Sequence, residues 1–143
     1  MTKIKILFAI LFIISVIGCT ENADSTSPNT PAVVINKIID SVSVKINYGQ
    51  EAFIENNITI KFDDVNDSRC PMDVICVWAG DGGVGLKLSD DKGQLHTFLH
   101  TALFPREINF GGYRIILKSL NPYPKSANLI KLDEYNVDLI IKR

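Results

Sequence analysis

Hydrophobic and polar residues alternate along most of the chain after Val33. A period of two is typical of β-strands that bury one face, and the clusters of Gly, Asn, Asp and Pro between the alternating stretches favour turns. The pattern divides into seven or eight short strands: residues 42–46, 52–54, 58–62, 84–88, 95–99, 108–110, 113–117 and 135–141. It predicts an all-β fold, an antiparallel β-sandwich of immunoglobulin-like size, with a partly open β-barrel as the alternative.

Three stretches depart from this alternation. Residues 33–39 and 126–132 have room for a helix of one or two turns. Residues 80–85 read GDGGVG, which matches the glycine motif of dinucleotide sites. Such a site needs a helix directly after the motif, whereas the residues that follow here alternate as a strand. The motif therefore predicts a glycine-rich hairpin turn and no cofactor.

The first 18 residues follow a different pattern. Lys3 and Lys5 precede an almost uninterrupted apolar run over residues 6–17. As a helix this run is about 18 Å long, too short to cross about 30 Å of hydrocarbon, so residues 1–18 are interpreted as an export signal peptide. The segment ends in the letters VIGC at Cys19, which resembles the lipobox of bacterial lipoproteins.

The lipobox resemblance implies cleavage before Cys19, a diacylglycerol on its thiol and usually an acylated amino terminus. Two or three acyl chains make a durable anchor, whereas one chain binds a membrane only marginally. In lipoproteins of two-membrane bacteria, Asp after the cysteine tends to retain the protein at the inner membrane, and this chain has Thr20. The resemblance implies a lipid-anchored protein of the cell envelope and favours the outer membrane, with the periplasm or the cell surface as the side it faces.

Residues 19–32 are rich in Ser, Thr, Asn and Pro and contain no large hydrophobic side chain. Such a segment cannot bury enough surface to fold, so it is interpreted as a flexible tether. The predicted organisation is a signal peptide (1–18), a lipidated cysteine with its tether (19–32) and a single β-sandwich domain (33–143).

The overall composition excludes several classes of protein. With 46% hydrophobic and 22% charged residues the chain is not disordered. Its 15 basic and 16 acidic residues form no Lys/Arg block, so no nucleic-acid partner is expected. Removal of Lys3 and Lys5 with the signal leaves the rest mildly acidic. The lipid, rather than charge, then holds the protein at the membrane.

The three cysteines divide into one anchor and one pair. Cys70 and Cys76 remain after Cys19 is assigned to the lipid, and in an oxidising compartment they predict a disulfide. A redox pair is the alternative, although the spacing is wider than C-x-x-C and no helix follows. His96 and His100 are about 13 Å apart if they lie on one strand, too far for a shared metal ion. No metal is predicted.

The cysteine pair lies in a stretch that reads DSRCP at residues 67–71 and CVWAG at 76–80. This stretch resembles the signature of small, mostly uncharacterised exported bacterial proteins, many of them lipoproteins. The similarity extends through residues 112–115, the Asn-Pro-Tyr-Pro turn at 121–124 and a last strand that contains Tyr135. The resemblance implies a shared domain and brings no activity with it.

Two interpretations of this stretch remain open. In the structural one, Trp78 packs against the disulfide inside the sandwich, since Cys76 and Trp78 are two residues apart on one face of a strand. Arg69 then fixes the loop through a bidentate carboxylate pair. In the functional one, the stretch is a ligand-binding loop with the candidate residues Asp67, Arg69, Asp73 and Trp78.

The sequence therefore predicts a non-catalytic binding or structural module that acts through loops at one end of the sandwich, with an envelope protein as a possible partner. The alternative is an exported protease inhibitor or a small exported enzyme, with residues 67–78 and 104–110 as candidates. An inhibitor would have protruding apolar loop tips and an enzyme a deep polar pocket. A third hypothesis is calcium or transition-metal binding. Asp64, Asn66 and Ser68 match the first three ligand positions of a calcium loop, although the remaining positions do not match.

Overall fold

The computed structural model describes residues 32–38, 40–55, 57–126 and 129–143. Its strands are β1 (Val33–Ile35), β2 (Ser41–Asn47), β3 (Glu51–Ile54), β4 (Ile58–Asp67), β5 (Gly82–Asp90), β6 (Gly93–His100), β7 (Glu107–Phe110), β8 (Tyr113–Asn121) and β9 (Asn136–Lys142). The predicted signal peptide (1–18), the lipidation site Cys19 and the predicted tether up to residue 31 lie outside the described residues. No helix in the described part of the chain is long and apolar enough to cross a membrane.

The strands form two sheets around a common core. One sheet has the order β1-β3-β4-β5-β6 and the other the order β2-β9-β8-β7. All strand pairs are antiparallel except β1 and β3, which run parallel at an edge. In the described residues the sheets stay separate and do not close into a barrel. The prediction of an antiparallel β-sandwich is confirmed.

Burial follows the alternation in the sequence. In β2, Val44 and Ile46 are buried, whereas Lys45 between them is exposed. The largest fully buried side chains come from both sheets: Ile46, Ile60, Phe62, Val84, Leu86, Leu88, Leu99, Ile115, Val137, Leu139 and Ile141. The buried hydrophobic residues of the described chain lie between Ile38 and Ile141.

The helix considered for residues 33–39 is wrong. Val33–Ile35 is an edge strand instead, because Val33 and Ile35 pack on the core while Val34 points outward. At the other candidate stretch, residues 126–132, the described helical structure is one turn of 3-10 helix at Leu132–Glu134.

The glycine-rich hairpin turn predicted at residues 80–85 is also wrong. Gly82 and Gly83 begin β5 and pair with β4 on one side, and Gly83 pairs with His100 of β6 on the other. A Cβ on Gly82 would lie 2.9 Å from Leu120 Cδ2 of the opposite sheet. The glycine therefore serves close packing between the sheets.

The connections β2–β3, β4–β5, β6–β7 and β8–β9 meet at one end of the sandwich. Tyr48 N after β2 donates to Tyr135 O before β9 at 2.9 Å, and Met72 N after β4 donates to Pro124 O after β8 at 3.0 Å. The short hairpin turns lie at the opposite end. We call the three long connections the loop cap. They are the β4–β5 connection (residues 68–81), the β6–β7 connection (101–106) and the β8–β9 connection (described at 122–126 and 129–135).

Candidate functional site

The connection from β4 to β5 starts as a continuation of the sheet. Ser68 N donates to Asp81 O and Cys70 N donates to Ala79 O, both at 2.8 Å, so the two segments of this connection stay paired beyond the strands. Past this point the Cys70–Cys76 disulfide, with Cα atoms 6.0 Å apart, closes the tip of the loop. The predicted disulfide is confirmed.

Arg69 and Asp67 form a bidentate ion pair beneath the loop cap. Arg69 Nε donates to Asp67 Oδ1 at 2.7 Å and Nη2 donates to Asp67 Oδ2 at 2.6 Å, with both side chains almost completely buried. The guanidinium also donates to Leu120 O at 2.6 Å and to Pro122 O at 2.8 Å. The bidentate pair predicted for Arg69 is confirmed, and it joins the end of β4 to the end of β8 in the other sheet.

Two tyrosines complete this buried network. Burial opposes ionisation of Asp67, but the hydrogen bonds and charge of Arg69 outweigh it and hold the pKa of Asp67 below its ordinary value. Tyr135 Oη donates to Asp67 Oδ2 at 3.1 Å, and burial together with the Asp67 charge raises the pKa of Tyr135 to about 12. The Tyr123 ring lies 4.8 Å from the guanidinium carbon. Apart from Tyr123, which is about half exposed, the network is buried and hydrogen-bonded, which marks it as structural.

Asp73 ties the tip of the cysteine loop to the β8–β9 connection. Its carboxylate accepts hydrogen bonds from the backbone N (2.8 Å) and the Oγ of Ser126. These bonds hold the pKa of Asp73 below its ordinary value. Asp73 was a candidate for ligand binding, and its carboxylate is engaged within the protein.

Asp81 connects the β6–β7 connection to the cysteine loop. Its Oδ1 accepts from Ala102 N at 2.8 Å and from Leu103 N at 3.3 Å, while Oδ2 lies 2.6 Å from His100 Nδ1. Burial opposes ionisation of Asp81, but the Ala102 and His100 bonds outweigh it and keep its pKa below the ordinary value. Hydrogen bonds thus connect all three loops of the cap.

The outer surface of the loop cap is apolar. Among the described residues, ten of the thirteen exposed large hydrophobic side chains belong to the cap: Met72, Val74, Ile75, Val77, Trp78, Leu103, Phe104, Tyr123, Leu129 and Leu132. The other three, Val34, Phe53 and Leu95, lie in strands of the five-stranded sheet. Such concentration of exposed apolar side chains at one end is unusual for a domain surface that contacts only water.

The packing predicted for Trp78 is wrong. Its side chain is 83% exposed, and neither Cys76 nor Trp78 lies in a strand. The reason is that pairing between the two segments of the loop ends at Cys70 and Ala79, so the residues between them project beyond the sheets. Of the four candidate binding residues, Arg69 and Asp67 lie at the base of the cap and Trp78 lies on its surface. Asp73 bonds the cysteine loop to the β8–β9 connection.

Gly80 explains how the loop can close. Its φ is +71°, and a Cβ at this position would overlap Ser68 O on the facing segment of the loop. Any other residue would push the two paired segments of the loop apart and would also adopt an unfavourable backbone conformation.

The candidate metal ligands do not come together. His96 Nε2 lies 3.2 Å from Asp63 Oδ1, whereas His100 is paired elsewhere on β6. Asp64 and Asn66, two positions of the calcium hypothesis, lie along β4 rather than in a loop. Across the residues that the structure describes, no three His, Cys, Asp or Glu side chains are grouped so as to hold a metal ion.

A depression of about 550 Å³ lies beside the His100–Asp81 pair and is lined in part by Ser68 and Phe98. A His–carboxylate pair acts as a general base when a nucleophile contacts the imidazole. Ser68 Oγ instead donates to Asp81 O at 3.0 Å, and among the described residues no hydroxyl or thiol forms a hydrogen bond with His100. The depression therefore offers no assembled nucleophile.

Sequence analysis did not identify Tyr135, Tyr123 or Asp81 as members of this region. Tyr135 bonds to a carboxylate 68 residues earlier in the chain, a contact that only the pairing of the sheets creates. For Asp81, the one available signal in the sequence was its position directly after Gly80, the glycine that closes the loop.

No family model matches the chain, and no curated protein or solved structure matches it either.

Proposed function

We propose that the protein is a lipid-anchored β-sandwich of the bacterial cell envelope that works without catalysis, as a binding module whose contact surface is the loop cap. The observation that carries the proposal is the concentration of ten exposed large hydrophobic side chains on the cap. An apolar patch on loops held by a rigid scaffold is typical of a surface that another molecule covers.

The way the cap is built supports a binding role. The disulfide closes one loop, and the carboxylates of Asp73 and Asp81 attach that loop to its two neighbours. The apolar tips are therefore held in place before any contact is made. Binding through a preorganised surface loses less conformational entropy than binding that has to order its loops.

The anchor is proposed on Cys19, with Thr20 favouring the outer membrane. A Cys19→Ser variant should accumulate as an uncut precursor without acyl chains, which mass spectrometry of the intact protein measures directly. Processing and membrane attachment of Cys19→Ser at the level of the unchanged protein would contradict the anchor.

The contact surface is tested by a photo-reactive benzophenone amino acid in intact cells. In place of Val77, which is 94% exposed on the cap, it should crosslink to another envelope component, whether protein or lipid. In place of Val34, which is 64% exposed on β1, it should give only background. Background crosslinking at both positions would refute the cap as the contact surface.

Protease inhibition is the second candidate, because the cap has the protruding apolar tips that an inserting inhibitor needs. The purified domain would then slow a serine or cysteine protease. Val77→Asp should abolish the inhibition and Val34→Asp should preserve it. Unchanged rates across both protease classes would remove this candidate.

A further inference from the structure

We infer that the loop cap lies on the lipid bilayer that holds Cys19, with the tips formed by residues 74–78 and 103–104 inserted among the lipid headgroups. The inference rests on the proposed function, since it assumes the lipid anchor and names the occupant of the same surface.

The chain enters the sandwich in a direction that favours this orientation of the cap. β1 runs parallel to β3, and Val33 pairs with Ala52 near the start of β3. That start directly follows the turn at Tyr48, whose N donates to Tyr135 O in the cap. β1 therefore runs away from the cap, and Val33 is the end of the strand that is nearer to the cap.

The length of that preceding chain strengthens the argument. Residues 19–32 are 14 residues, which reach at most about 50 Å when fully extended. Through β3, Val33 is level with Ile60 of β4, which is seven residues, or about 23 Å, from Asp67 at the base of the cap. The reach of residues 19–32 exceeds this distance, so it is long enough for the cap to face the anchored lipid.

The shape and chemistry of the tips favour a bilayer over a protein partner. Ile75 and Val77 are almost fully exposed, and Phe104 and Trp78 project from two different loops. Tryptophan favours the interface between headgroups and hydrocarbon, and apolar side chains on a peripheral protein insert about 5–10 Å. A bilayer accepts such protruding side chains without a complementary pocket, which a protein partner would have to supply.

The charges of the loop cap balance. The cap contains four basic and four acidic residues: Arg69, Arg106, Lys125 and Lys131 against Asp73, Asp81, Asp133 and Glu134. With no net charge, the cap has no electrostatic preference for anionic lipid. Apolar insertion is then the main attraction, and the contact should be insensitive to salt.

Trp78 is the one tryptophan of the chain, so its fluorescence reports on the cap alone. The acylated protein is reconstituted into vesicles of phosphatidylethanolamine and phosphatidylglycerol, with or without bromine on the acyl chains near the headgroup. We expect brominated lipid to quench most of the Trp78 emission and bound protein to be shielded from aqueous iodide. Added sodium chloride should change neither result.

Two matched variants keep the anchor and change one exposed valine each. Val77→Asp places a charge on the tip, so it should remove most of the quenching by brominated lipid while the protein stays on the vesicles. Val34→Asp places the same charge on β1 and should leave the quenching unchanged. Emission that brominated lipid leaves intact and iodide quenches freely in the unchanged protein would overturn the inference.

The outcomes separate this inference from the proposed function. A protein crosslinked at position 77, together with Trp78 emission that brominated lipid does not quench, would overturn the bilayer contact and leave the binding module in place. An absence of acyl chains on the exported protein would instead refute the anchor, and the inference with it. A cap that is quenched by brominated lipid and crosslinks to lipid at position 77 would support both.

Discussion

Replacing Arg69 with Met removes the buried cation and keeps much of the side-chain volume. In Arg69→Met, the Asp67 carboxylate loses both guanidinium hydrogen bonds. The carbonyl oxygens of Leu120 and Pro122 lose the same donor. The variant thus leaves a buried charge and two backbone acceptors without their partner at the junction of the two sheets.

The expected cost is large because both members of the pair are buried. Removing one partner of a buried ion pair destabilises a protein by about 3–5 kcal/mol, out of a total of about 5–15 kcal/mol for a domain. At this domain size 1 kcal/mol corresponds to roughly 4 °C, so Arg69→Met should lower the Tm by about 10–20 °C.

Thermal and urea unfolding followed by circular dichroism measure this cost. Arg114→Met is the matched control, since Arg114 Nη1 lies 4.0 Å from Glu107 Oε1 and both side chains are about half exposed. A surface pair of this kind contributes about 0–1 kcal/mol. A loss of stability in Arg69→Met no greater than in Arg114→Met would refute the structural role of the buried pair.

The partner residue supplies a second check on the same reasoning. Asp67→Asn should destabilise the unchanged protein but restore part of the stability of Arg69→Met, because it removes the charge left without a partner. The advantage of the unchanged protein over Arg69→Met should also shrink in acid. The folded-state pKa of Asp67 lies below its unfolded value, so its contribution is present above the unfolded pKa and is lost as the pH falls through the folded pKa. A double variant less stable than Arg69→Met would contradict this account.

Three further predictions concern the cap and its base. The pKa of Tyr135 is raised to about 12 in the folded protein, against about 10 when unfolded. The contribution of Tyr135 to the stability of the fold is therefore present below pH 10 and lost as the pH rises toward 12. Urea titrations should show the stability advantage over Tyr135→Phe shrinking by about 2 kcal/mol across this window, and a constant difference would contradict the prediction. Gly80→Ala should destabilise far more than Gly49→Ala in thermal melts, because both have positive φ (+71° and +79°) but only Gly80 lacks room for a Cβ; equal costs would contradict the clash. Replacing both Cys70 and Cys76 with Ala should cost about 2 kcal/mol and retain the β-sheet circular dichroism spectrum, whereas loss of that spectrum would show that the sandwich depends on the loop.

The sandwich could be predicted because its strands bury one face, and burial of alternate residues is visible in the sequence at places such as Val44 and Ile46. The edge strand at Val33–Ile35 was missed because three residues are too few to establish a period. The glycine turn was misplaced because Gly82 serves packing against Leu120, a contact between sheets that no local pattern reveals.

The candidate site was predictable only where its contacts are local. Arg69 and Asp67 are two residues apart, so their pairing could be expected from charge and spacing. Tyr135 reaches Asp67 from a distant strand, and that contact depends on how the sheets pack. Trp78 was placed in the core because spacing on a strand predicts a shared face, whereas the disulfide closes a loop tip in which strand geometry does not apply.

The stretch from Asp67 to Gly80 therefore divides into two sets of residues with different physical roles. Asp67, Arg69 and Gly80 are fixed by burial, hydrogen bonding or a backbone clash, and each has a reason that lies within the fold. Val77 and Trp78 are surrounded by solvent, and folding gains little from their apolar surface. An exposed tryptophan held on a rigid, disulfide-closed tip gains free energy only when something else covers it. The buried set thus supports the loop, and the exposed set gives the loop a contact to make at this end of the sandwich.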